Sequence, residues 1–144
     1  MSKVNDLTKF LDKFTSRVGE SNIDVSNYNM DHVAYLASSA NDYEEVRDEL
    51  LSEGSLVHEP IIGGRRVGMI KLNKPIAYKG NNIIALEIVE NKPEQVCKSG
   101  WEHAEYVVNE SFDELMSKYP NLDWDRSSAD RDIWAHLKLK LSDS

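Results

Sequence analysis

The segment Ile83-Ile84-Ala85-Leu86-Glu87-Ile88-Val89 sets one carboxylate inside an otherwise apolar run that reads as a strand. A charge in such a run is unfavourable unless it is paired, hydrogen-bonded or bound to a cation. Two other fragments, Asp31-His32-Val33-Ala34-Tyr35 and Gly100-Trp101-Glu102-His103-Ala104-Glu105, each place a histidine near the start of a strand. Two imidazoles and one carboxylate contributed by three separate strands make a donor set suited to a divalent metal.

The elements around these strands come in a repeated order. Val4, Leu7, Phe10, Leu11, Phe14 and Val18 recur at helical spacing, and Gly19 offers a stop, so a helix is expected within 1–20. A strand over 31–37 and a helix over 42–53 follow; the helix has Tyr43, Val46, Leu50 and Leu51 on one side and Gly54 just past its end. Ile61-Ile62-Gly63-Gly64-Arg65-Arg66-Val67 reads as a strand, a glycine turn and a return strand running to Leu72. Pro75 and Lys79-Gly80-Asn81-Asn82 mark a loop before the strand over 83–89. Strand, helix and three strands are thus expected in turn. A second round begins with a strand over 102–108 and a helix opened by Ser111, with Glu114 at capping-box spacing. Phe112, Leu115, Met116 and Tyr119 stripe that helix, and Pro120 helps to end it. A short strand near 122–127 and an alternating segment from Trp134 to Leu141 bring the second round to Ser144, one strand short of the first.

Composition narrows the classes of function. A chain of 144 residues fits one compact domain with a real core. The net charge of −8 argues against nucleic-acid binding, which needs a basic stripe, and against anionic membrane surfaces. The single cysteine, Cys97, cannot form an intramolecular disulfide and has no histidine beside it in sequence. No stretch reaches the ~20 apolar residues of a membrane span, and Met1–Asp6 lacks the apolar run of a signal peptide, so the expected location is cytoplasmic. Asp123-Trp124-Asp125-Arg126-Ser127 has the look of a calcium loop, but Ser128 stands where glycine is needed and Trp134 where the closing glutamate belongs.

A tandem βαβββ order with a histidine on its first strand and an acid on its fourth resembles the vicinal oxygen chelate (glyoxalase/bleomycin-resistance) superfamily, and within it the YecM-like family. The resemblance is carried by Asp31-His32-Val33, by Gly63-Gly64-Arg65 leading into Met69-Ile70-Lys71-Leu72, by Leu86-Glu87, and by Gly100-Trp101-Glu102-His103-Ala104-Glu105. It implies an α+β fold over residues 1–144, a single glyoxalase-like domain of two βαβββ modules whose curved mixed sheet forms a half-open barrel. The first module would span 30–90 and the second 101–144, lacking its last strand, with an extra N-terminal helix over 1–20. Helices would lie outside and a metal cup inside. By position, the superfamily's ligands would be His32, Glu87 and His103, while its usual fourth ligand belongs to the absent eighth strand.

Alternation along the strands sorts the remaining side chains. With the histidines and Glu87 turned inward, Trp101 and Glu105 join the cup, and Trp134 and His136 face it from the last segment. Arg65, just past the glycine turn, would reach over the mouth and suit a carboxylate or phosphate. The resemblance implies a divalent-metal binder (Zn, Ni, Mn or Fe) acting on a small oxygen-rich molecule by isomerase, lyase or dioxygenase chemistry, with Glu105 or a metal-bound water as proton shuttle. The rival is a non-catalytic module of the same fold that holds a small molecule between Trp101 and Trp134. The uncovered edge of the segment 134–141 invites pairing with a second copy, a homodimer.

Overall fold

The computed structural model describes residues 2–94, 96, 98–126, 138 and 139. Over these residues the fold is α+β, with three helices and a curved, unclosed mixed sheet. The chain divides into two compact units, one of Met1–Phe10 with Tyr28–Val107 and one of Leu11–Asn27 with Val108–Ser144. Helix α1, Ser2–Glu20, contributes its first part to one and its second part to the other.

The larger unit is built on β1 (Asn29–Leu36), α2 (Ala40–Leu50), β2 (Gly54–His58), β3 (Ile61–Ile62), β4 (Arg65–Tyr78), β5 (Asn81–Val89) and β6 (Gly100–Val107). Its strands run in the order β2-β4-β5-β1-β6, with β3 hairpinned onto β4. β1 is parallel to β5 and every other pair is antiparallel. The glycine turn between β3 and β4 forms as expected, since Gly63 and Gly64 both take positive φ (61° and 82°), which a two-residue hairpin turn of this hand demands.

Register decides which side chains share a face. Leu86 lies beside Ile70 and Val33, and Ile88 beside Gly68 and Tyr35, so these residues form one face. Val33, Tyr35, Ile70, Leu86 and Ile88 are buried there. α2 covers this face with Tyr43, Val46 and Leu50, and a Cβ on Gly68 would stand only 2.6 Å from the Tyr43 hydroxyl. Each large side chain buried this way stabilises the fold by about 1.5–3 kcal/mol. The opposite face carries Arg65, Val67, Met69 and Lys71 on β4, Ala85 and Glu87 on β5, His32 and Ala34 on β1, and His103 and Glu105 on β6. Glu87 therefore sits on an apolar strand with its side chain turned away from the hydrophobic layer.

Three elements differ from expectation. β2 was not among the expected strands; four of its five residues are exposed, so it has no apolar alternation to betray it. β4 continues past Leu72 to Tyr78 because Pro75, which lacks an N–H, falls in the register shift between Lys71 and Ile76. α2 starts and ends a few residues earlier than its apolar stripe suggests. Ser39 caps it by accepting from the Asp42 N–H at 3.0 Å, and Gly54 enters β2 instead of closing the helix.

In the smaller unit, Leu11 and Val18 of α1 and Leu115 of α3 (Phe112–Lys118) are buried. Ser111 caps α3 as the Ser–Glu spacing suggests, accepting from the Glu114 N–H at 3.1 Å, while its hydroxyl donates to Glu114 Oε1 at 3.1 Å instead of leaving that carboxylate to the Ser111 N–H. The Tyr119 hydroxyl accepts from the Asp24 N–H at 3.0 Å, and the Tyr119 carbonyl accepts from the Trp124 indole at 3.0 Å. β7 (Trp124–Asp125) and β8 (Lys138–Leu139) pair antiparallel. No helix among the described residues is long and apolar enough to cross a membrane.

Candidate metal centre

The neighbouring strands β5, β1 and β6 bring their polar residues to one spot. His32 pairs with Ala85 on one side and Glu105 on the other; Ala34 pairs with Glu87 and with His103. Ala34 and Ala85 are small, so the larger polar side chains around them can lean together. His32 Nε2 stands 2.8 Å from Glu105 Oε2 and 3.7 Å from Glu87 Oε2. His103 Nε2 stands 3.9 Å from Glu87 Oε1 and 3.7 Å from Glu105 Oε2. Among the described residues, the group able to hold a metal ion is His32, Glu87 and Glu105, whose ligand atoms all lie within 4.8 Å of one another.

The structure therefore places His32 and Glu87 together as two members of this group. Glu105, read from the sequence as a proton shuttle, is the third, and His103 faces the two carboxylates from beside it. Side-chain exposure is 15% for both His32 and Glu87, against 41% for His103 and 39% for Glu105, so the spot is walled on the β5 side and open on the β6 side. Two atoms held tetrahedrally by one ion at ~2.0–2.2 Å lie roughly 3.3–3.6 Å apart. The imidazole–carboxylate separations of 2.8–3.9 Å bracket that range, and the three ligand atoms lie within 4.8 Å of one another, so the donor set suits a divalent ion once the side chains draw in around it.

Two further acids, given no role of their own by the sequence, complete the cluster. Asp31 Oδ1 lies 3.1 Å from His32 Nδ1, and Glu102 Oε2 lies 3.6 Å from His103 Nδ1. Burial works against a charged His103, but its bonds to Glu102 and Glu105 and the charge of Glu87 prevail and push it up to about 9. Burial likewise opposes His32, and Glu105, Asp31 and Glu87 outweigh it to raise that residue too. Glu105 feels the reverse: against its desolvation, the two histidines hold it far below the usual carboxylate range. Four carboxylates (Asp31, Glu87, Glu102, Glu105) face two imidazoles here. Even with both rings protonated the cluster keeps an excess of negative charge, and that favours a cation.

The other expected site residues are scattered. Arg65 lies on the cluster's face of β4, and its charge helps to lower Glu102. Arg66 points the other way, clamped to Glu90 at 2.8 Å and stacked 4.4 Å over the Tyr43 ring. Trp101 would stand beside His103 by strict alternation. A register shift at Glu102 instead pairs it with Tyr35, and its ring meets the Tyr35 ring edge-on at 5.4 Å, on the α2 face. Trp134 and His136 lie outside the described residues.

The family described as "YecM protein" matches residues 1–144. This chain belongs to the YecM family. An uncharacterised protein of Haemophilus influenzae is 31% identical over 117 residues, covering 78% of this chain. The chain spans 61% of that relative's own length. A solved structure described as "Structural Genomics, Protein EC4020" superposes with a TM-score of 0.70 at 20% identity, covering 81% of this chain and 64% of that one. The last likeness establishes the fold.

Proposed function

We propose that this YecM-family chain binds a divalent metal ion through His32, Glu87 and Glu105, with His103 as a fourth donor, and serves as a metal-dependent enzyme on a small oxygen-rich molecule. The observation that carries the reading is the convergence of three donor groups from three strands to within 4.8 Å. The vicinal oxygen chelate resemblance supplies the reaction classes: isomerase, lyase or dioxygenase. When bound, the ion would supply a Lewis acid for vicinal oxygens of the substrate.

The chain's own residues account for the rest. Glu87, set among apolar neighbours on β5, gives a fixed negative anchor at the walled side. In the metal-free chain the proton between His103 Nε2 and Glu105 Oε2, 3.7 Å apart on the open side, rests on the imidazole at neutral pH, and it leaves as both atoms turn to an ion. Arg65 on the same face would receive an acidic group of the substrate.

Equilibrium dialysis of metal-stripped protein against Zn(II), Ni(II), Mn(II) and Fe(II), read by elemental analysis, tests the proposal. One equivalent of at least one ion is expected, with most of the affinity lost in His32→Ala. Absence of binding by all four ions, or equal uptake by the variant, overturns the metal reading and leaves the non-catalytic ligand-binding module in its place.

A further inference from the structure

On a regular strand, neighbouring side chains point to opposite faces, so a residue does not reach the ring of the histidine that follows it. Both histidines of the cluster break this rule, and the register shows how. Between Met30 and His32, β1 advances two residues while β6 advances one, from Tyr106 to Glu105; the extra residue is Asp31. Between Ala34 and Tyr35 the situation is reversed, β6 advancing two residues, from His103 to Trp101; the extra residue is Glu102. A bulge of this kind re-aims a side chain. Each of the two strands thus carries one bulge, each bulge residue is an acid, and each acid directly precedes a histidine of the candidate centre.

We propose that Asp31 and Glu102 are positioning residues that hold His32 and His103 by their Nδ1 atoms, so that both Nε2 atoms are presented to Glu87 and Glu105. An ionised carboxylate only accepts hydrogen bonds, so the ring nitrogen facing it must carry a proton. Nε2 of both rings faces Glu87 and Glu105, and with Nδ1 held by its outer acid it is the Nε2 proton that leaves when the ring turns to a metal. Outer carboxylates of this sort fix ring orientation and raise the basicity of the ligand. The contact is tighter at Asp31 (3.1 Å) than at Glu102 (3.6 Å), and Asp31 is the less exposed acid, so His32 is the more firmly held of the two rings.

This inference rests on the metal reading above, yet one arm of its test does not need metal. In ¹H–¹⁵N correlation spectra of the metal-free protein, hydrogen-bonded Nδ1–H protons of His32 and His103 are expected, slowed against exchange with water. Asp31→Ala should abolish the His32 signal alone, and Glu102→Ala the His103 signal alone. In the second arm, each alanine variant should bind Zn(II) roughly 10- to 100-fold more weakly than the parent, with the larger loss at Asp31. Asp31→Asn keeps an accepting oxygen and should restore both the signal and part of the affinity, which separates positioning from damage to the fold. Persistence of the Nδ1–H signals in both alanine variants, or failure of Asp31→Asn to restore anything, overturns the inference. A parent that binds no metal but shows the two signals overturns the function proposed above and keeps this one.

Discussion

His103 carries the most consequential electrostatics of any single residue in the chain. Glu102 and Glu105 bond to it, Glu87 adds its charge, and together they overcome its burial to hold it near 9 against an ordinary 6.5. A histidine raised in the folded state adds stability that is complete below its unfolded value and disappears as pH climbs through its folded one. The metal-free protein should therefore lose this contribution between about pH 6.5 and about 9, and the His103 ring signals should titrate near the upper value in an NMR series. The ring is partly open to solvent, so the change in stability will be modest. A metal ion needs the Nε2 lone pair, so protons must leave as it enters. Calorimetry in buffers of different ionisation enthalpy should show that release, and affinity should fall as the pH is lowered.

At the scale of elements, two acids fasten α2 to the sheet, one bonded to its own side chains and one acting through Arg66. Glu59 accepts from the Tyr43 hydroxyl at 2.7 Å and from Arg47 at 3.0 Å, while Glu90 grips Arg66, whose guanidinium stacks on the Tyr43 ring. The bonds from Arg66 hold Glu90 below the usual carboxylate range. A lowered carboxylate contributes stability that is present above its unfolded value, 4.5, and is lost as pH falls through the folded one. Glu90→Gln should thus lower the melting temperature at pH 7 and flatten its decline in acid; an acid limb as steep as the parent's would show that the pair is inert. This clamp was hidden in the sequence, because Arg65 and Arg66 look alike beside a glycine turn and only register sends one to each face. The Ser111 cap of α3, the glycine hairpin and the strands β1, β5 and β6 were legible, since each rests on a local rule: a Ser–Glu spacing, two glycines, a short run with strand-like side chains. β2 was not, because an exposed edge strand has no buried face to pattern it. The candidate site was legible for a related reason. Glu87 interrupts an apolar strand and His32 and His103 stand near strand starts, whereas Asp31 and Glu102 act through bulges, which no alternation rule foresees and which also turned Trp101 to the other side of the sheet.

For the molecule as a whole, all described residues of the cluster lie in the larger unit, on strands that neighbour one another in its sheet. A ligand that binds only the folded chain stabilises it by mass action, about 2.7 kcal/mol when present at 100 times its dissociation constant. For a chain of 144 residues this corresponds to a rise in melting temperature on the order of 8 °C. The distribution of that gain across the chain is the sharper test. The ion would bridge β5, β1 and β6, so opening any of these strands would mean giving it up. Hydrogen exchange of the metal-loaded protein should therefore slow along Asn29–Leu36, Asn81–Val89 and Gly100–Val107, while amides of α3, in the smaller unit, keep their metal-free rates below the threshold of global unfolding. Equal protection of α3 and the three strands would mean that the two units open only together. Protection confined to α3 would place the ion elsewhere and remove His32, Glu87 and Glu105 from its coordination.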